Sequence, residues 1–254
     1  MKNLLLVTVI SLFVLCIPSL TMASEDTLGC GAYVPTIIKV EAVFEETAYD
    51  YSTPMIKIAE LAKANQETVK GSKHTEQWPV GLTVGEMFFS SDYGKLKMLT
   101  PVTLLACGQI SEVNIKFGFK NNKILVAKEF PKRSCPYREV LRHEEKHKAV
   151  DQQLVQEYSE KIKTVLGEVT KKIGVVKAPT PAIIDDKIDS TLNQAMQKLI
   201  KEIEAEHIAR QKKVDTAEEY QRITDSCDGQ TMEIVRQRLQ ILEDAHPGST
   251  KASE

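Results

Sequence analysis

His143 and His147 stand four residues apart in the stretch 141–151, LRHEEKHKAVD, around which the chain is organised. On an α-helix residues i and i+4 lie on one face, a turn apart. Leu, Arg, Glu, Lys and Ala, which fill the rest of the stretch, all favour that conformation. With Glu144 the pair reads H-E-x-x-H, in which two neutral imidazoles can grip one zinc ion. Glu144, a carboxylate beside the first histidine but not itself a ligand, is placed to take a proton from an attacking water.

The surrounding sequence predicts how far this helix runs. Pro131 and Pro136 break the preceding pattern and Gly167 supplies a stop, so the motif helix is expected over 137–166. Val140, His143, His147, Val150, Leu154, Tyr158 and Val165 fall near one face. The histidines therefore point toward the interior, either as metal ligands or as hydrogen-bonded core residues.

Before the helix the chain reads as sheet. Residues 36–46 alternate as a strand, and 82–89, 96–107, 113–120 and 123–129 are four further strand candidates. Ser90-Ser91-Asp92-Tyr93-Gly94 has turn composition, and Asn121-Asn122 suits a hairpin. Pro101 marks an edge or a break. A short helix is expected from Met55, capped by Ser52 or Thr53. His74 and Trp78 fall in an irregular polar loop, where a surface histidine and a core-edge or groove-rim tryptophan are the simplest roles.

After the motif helix, 169–176 resembles a short strand and 177–188 a proline-stiffened connector. A helix is expected over 189–212, with Leu192, Met196, Leu199, Ile203 and then His207 on its stripe. Thr216 with Glu219 forms a capping box that opens another helix, and a last helix covers 232–245. The class is thus α+β: a small antiparallel sheet, a long H-E-x-x-H helix and a C-terminal helical portion. The boundaries are 24–176 for the α+β metal-binding domain, 177–188 for the connector, 189–245 for helices packed on the first part and 246–254 for a flexible tail.

A catalytic zinc takes three protein ligands and a water, and the motif supplies two. His207 is the first choice for the third, brought in by an antiparallel helix pair. Glu206 and Glu202 are alternatives. Asp151 is disfavoured because it lies about 6 Å along the helix from His147, although it could orient that residue. Tyr220 and Tyr158 are candidates to donate to an oxyanion.

Residues 1–23 read as a secretory signal: Lys2, an apolar run over 4–15, and Thr21-Met22-Ala23 before a cut at Ser24. Pro18 interrupts the run too early for a stable transmembrane anchor. Four cysteines remain beyond it, Cys30, Cys107, Cys135 and Cys227, without a C-x-x-C pair. An even number in an exported chain predicts two disulfides; Cys107 with Cys135 and Cys30 with Cys227 is one of three connectivities. With 33 Lys and Arg against 35 Asp and Glu, and no dense basic patch, a nucleic-acid partner is not expected.

Cys135-Pro136-Tyr137 running into His143-Glu144-Glu145-Lys146-His147, with Val214-Asp215-Thr216-Ala217-Glu218-Glu219-Tyr220 and Cys227 downstream, resembles a family of uncharacterised bacterial exported proteins described as predicted secreted zinc-dependent proteases. The resemblance covers roughly residues 95–228 and implies an exported metal-binding protein with a small β portion before the motif helix. The expected function is a Zn2+-dependent peptidase, secreted or periplasmic, acting on a peptide or protein with Glu144 as general base and His143, His147 and His207 on the metal. The competing expectation is a non-enzymatic envelope protein with a structural or vestigial metal site.

Overall fold

A computed structural model describes residues 30–68, 79–100 and 104–245. The expected signal at 1–23, the His74 and Trp78 loop, Pro101 and the tail at 246–254 lie outside the described residues.

The N-terminal half is one mixed sheet built around a single strand. β1 (Ile37–Phe44) and β2 (Ala48–Asp50) are followed by helix α1 (Met55–Thr68), then β3 (Gly81–Leu99) and β4 (Ala106–Val126). β3 and β4 pair antiparallel along their whole length, from Gly81 opposite Val126 to Leu99 opposite Ala106. The four strand candidates over 82–129 are therefore two long strands. The turn expected at 90–94 is strand, because Ser90–Gly94 pair residue by residue with Lys116–Glu112. The other edge of β4 carries β5 (Val176–Ala178), β1 and β2 in succession, with β1 and β2 parallel to it. The antiparallel expectation thus holds for the hairpin and for β5 only.

Asn121-Asn122 makes a bulge within β4, not a hairpin turn. Asn121 takes a left-handed φ of 55°, a conformation asparagine tolerates better than most residues. Its N–H donates to Glu45 Oε2 at 2.9 Å, and the Asn122 amide donates to the Glu45 carbonyl at 3.1 Å. The irregularity falls where β4 passes from β1 to β2. α1 begins at Met55 as expected, but Glu129 Oε2, not Ser52 or Thr53, accepts from the Met55 N–H, at 3.0 Å.

The motif helix α2 spans Cys135–Ile173, with Ser134 accepting from the Tyr137 N–H as its N-cap and a proline in its first turn. It passes through Gly167 because Leu166 and Thr170 continue the buried face, and it ends at Gly174, whose φ of 57° suits a residue without Cβ. The strand expected over 169–176 is consequently helix up to Ile173. α3 begins at Pro181, capped by Thr180, so most of the expected connector is helical. It runs to Val214, antiparallel to α2. α4 (Ala217–Asp225) is capped by Thr216 as the sequence predicts, and α5 (Gln230–Ala245) follows a single 3-10 turn. Among the described residues no helix is long and apolar enough to cross a membrane.

α2 and α3 lie on the sheet over one apolar cluster that includes Ile115, Phe117, Leu154, Ile162, Leu192 and Ile203. A second cluster joins α1, the end of β4, Tyr137 and Val140 of α2 and Ile223 of α4. The stretch of α2 between the clusters carries His143, Glu144, His147 and Asp151.

Two disulfides join the described chain, Cys30–Cys107 and Cys135–Cys227. The cysteines pair as expected in number but not with the partners suggested above. Cys135 opens α2 and is tied to the turn after α4, while Cys107 lies at the start of β4, at the other end of the sheet.

Candidate metal centre

α2 places His143 and His147 one turn apart on the side facing the C-terminal end of α3. There the chain leaves helical geometry at Asp215, the C-cap of α3, which has φ −85° and ψ 61°. Its carboxylate turns back to the two imidazoles. Asp215 Oδ1 is 3.1 Å from His147 Nε2 and 3.3 Å from His143 Nε2, and the two Nε2 atoms are 3.2 Å apart. Ligand atoms at tetrahedral corners about 2.0–2.1 Å from a zinc ion stand about 3.3 Å from one another. The three edges match that spacing, and His143, His147 and Asp215 are the group of metal-capable side chains found among the described residues. Two imidazole nitrogens and a carboxylate oxygen form a donor set that suits zinc.

Neighbouring groups contact each of the three candidate ligands. Tyr220 Oη donates to Asp215 Oδ1 at 2.9 Å, and its ring lies against His143 with centroids 5.7 Å apart. Burial alone would raise the pKa of Asp215, but the two histidines and Tyr220 hold it well below the usual carboxylate range. Burial also opposes a charge on His147, yet the bond to Asp215 and the charges of Glu144 and Asp215 outweigh it and raise its pKa to about 9. Glu219 Oε1 lies 3.4 Å from His143 Nδ1, out of hydrogen-bond geometry, so that nitrogen is buried without a bonded partner. Arg222 and Lys146 grip Glu219 and lower its pKa to about 2.

Glu144 lies on the sheet side of α2. It is 4 % exposed, and His143 5 %. Its Oε2 accepts from Thr83 Oγ1 of β3 at 2.8 Å. Burial pushes its pKa up, against the lowering effect of His147, His143 and Thr83. A Cβ on Gly81 would stand 2.4 Å from Glu144 Oε1, so the carboxylate fits against β3 only because residue 81 has no side chain. Thr83 also lines a shallow, open depression beside Lys148, Asp151 and Val155 of α2.

His207, the first choice for the third ligand, is elsewhere. Its Nε2 contacts Asp151 Oδ1 at 2.8 Å, two turns of α3 before Asp215. The helices are antiparallel as expected, but their register brings Asp215 to His143 and His207 to Asp151. Glu206 pairs with Arg210, and Glu202 with Lys161 and the Tyr158 hydroxyl. None of the three carboxylates weighed with His207 belongs to the cluster. Asp151 reaches His147 only through Gln211, whose amide donates to Asp151 Oδ1 at 2.6 Å. Of the two tyrosines, Tyr220 is at the site and Tyr158 is not. Asp215 was missed because only the register of two helices selects it; the signal for it was the four-residue spacing His207, Gln211, Asp215, which mirrors His143, His147, Asp151.

No family model, curated protein or solved structure matches this chain.

Proposed function

We propose that the chain is a zinc-dependent peptidase of the envelope or the extracellular space, with His143, His147 and Asp215 as its metal ligands and Glu144 as general base. The observation that carries the reading is the triangle of ligand atoms, with edges of 3.1–3.3 Å, beside a buried carboxylate. Zinc held there supplies Lewis acidity toward a carbonyl and lowers the pKa of water. Glu144, its proton affinity increased by burial, takes the proton of the attacking water and returns it to the leaving amine. Thr83 fixes one carboxylate oxygen for that transfer. The two disulfides suit an oxidising compartment, and the reading agrees with the exported family that the motif region resembles.

A second reading, an exported binding or scaffold protein with a structural metal, draws support from the deep burial of His143 and Glu144. Metal analysis with cleavage of an unbiased peptide library separates the two. His147→Ala and Asp215→Ala should each lose most bound zinc, because each removes a ligand. Glu144→Gln should keep zinc and fold while cleavage falls about 100-fold or more. Wild-type protein that takes up no zinc when supplied with it overturns both readings. Stoichiometric zinc with no cleavage of any library member selects the second.

A further inference from the structure

Gln211 of α3 is placed between the metal cluster and a second layer of polar groups. Its side-chain nitrogen lies 2.6 Å from Asp151 Oδ1 and 3.3 Å from the carbonyl oxygen of His147. These two oxygens only accept hydrogen bonds, and His207 Nε2, 3.2 Å from the same nitrogen, can take either role, so the amide must present its NH2 on this side. Its oxygen is then the atom facing His147 Nδ1, at 2.6 Å. A carbonyl oxygen accepts, hence Nδ1 carries the proton. When zinc displaces the second proton, the neutral imidazole keeps its one N–H on Nδ1, and the lone pair is left on Nε2, the atom that meets His143 and Asp215. Asp151, which fixes the amide, is itself held by His207 Nε2 at 2.8 Å. His143 has no equivalent, since its Nδ1 lacks a bonded partner.

We infer that Gln211, locked in one amide orientation by Asp151 and His207, is a positioning residue that sets the Nδ1–H tautomer of His147 and so prepares Nε2 for the metal. The inference rests on the zinc reading of the same site and assigns to His207 and Asp151 a place behind the ligands.

The test measures zinc affinity by chelator competition and reads the His147 ring nitrogens by 15N NMR in the zinc-loaded full chain. Gln211→Leu removes the acceptor and should weaken zinc binding about 10- to 100-fold, the usual effect of losing such a partner. The pair Gln211→Glu with Asp151→Asn exchanges which side chain donates. It keeps an oxygen on His147 Nδ1 and should restore affinity to within a few-fold of wild type. A role in packing alone would not produce that rescue. In wild type the Nδ1 resonance should be that of a protonated nitrogen and Nε2 that of a metal ligand. Zinc bound by Gln211→Leu as tightly as by wild type, a double variant as weak as Gln211→Leu, or metal on Nδ1 would each overturn the inference and leave the peptidase reading standing. Failure of wild type to bind zinc would overturn both.

Discussion

At position 81 no side chain fits. The Cβ of an alanine there would sit 2.4 Å from Glu144 Oε1 and 2.8 Å from Val140 Cγ1, so the base or the helix must move. Gly81→Ala should cost about 1–3 kcal/mol of stability, as overpacked sites do, and lower cleavage far more than zinc affinity, since it displaces Glu144 and not a ligand. Denaturant melts and zinc titration, run beside an activity assay, check both parts; equal losses of metal and activity would contradict it. His147 sets the pH behaviour. In the metal-free protein its pKa is raised from 6.5 to about 9. A proton bound more tightly in the folded state contributes stability that is fully present below about pH 6.5 and lost as pH rises through about 9. Zinc must displace that proton. Apparent affinity should therefore climb between these limits and then flatten, and zinc titration in weak buffer at pH 7.5 should release acid. An affinity constant with pH across that interval would disprove the assignment.

The helix pair is the element that converts separate motifs into a site. His143, His147 and Asp151 rise along α2, and Asp215, Gln211 and His207 descend along α3 to meet them. What fixes their register is the apolar row below. Ile203→Ala and Ile184→Ala both empty fully buried positions on α3 and should each cost about 2–5 kcal/mol. Only the first, one turn from His207, should also weaken zinc binding; calorimetric melts with chelator competition would show it, and equal effects on affinity would argue against local control of register. The same elements show what a sequence can reveal. The i, i+4 histidines, the Thr216–Glu219 cap and the strand at 37–44 were legible because each is decided within a few residues. Ser90–Gly94 and Asn121-Asn122 have turn composition, but pairing along nineteen residues of β3 overrides local preference. Asp215 was hidden for a related reason: its neighbours in sequence say that it ends a helix, and only packing far along α3 says which part of α2 it will face. Glu219, Gln211 and Thr83 likewise join the site from separate elements.

In the whole molecule, the polar site lies between two apolar clusters, and each disulfide fastens a different end of this arrangement. Cys30–Cys107 binds the chain before β1 to the start of β4. Cys135–Cys227 closes the segment that contains Glu144 and all three candidate ligands, from the first residue of α2 to the turn after α4. Replacing either pair by serines should lower stability by about 2–4 kcal/mol. Only Cys135→Ser with Cys227→Ser should also weaken zinc binding, because only that bond clamps α4 and its Glu219 and Tyr220 beside His143. Urea melts and zinc competition on both double variants would test this, and matched zinc affinities would refute it. The bond has a consequence in time as well as in strength. None of the four disulfide-bonded cysteines belongs to the candidate metal group, so oxidation and metal capture need not compete for the same sulfur. A reducing environment would leave this clamp open and the site held by packing alone, and an oxidising one would close it, so the joining of two sulfurs is a step separate from any capture of an ion.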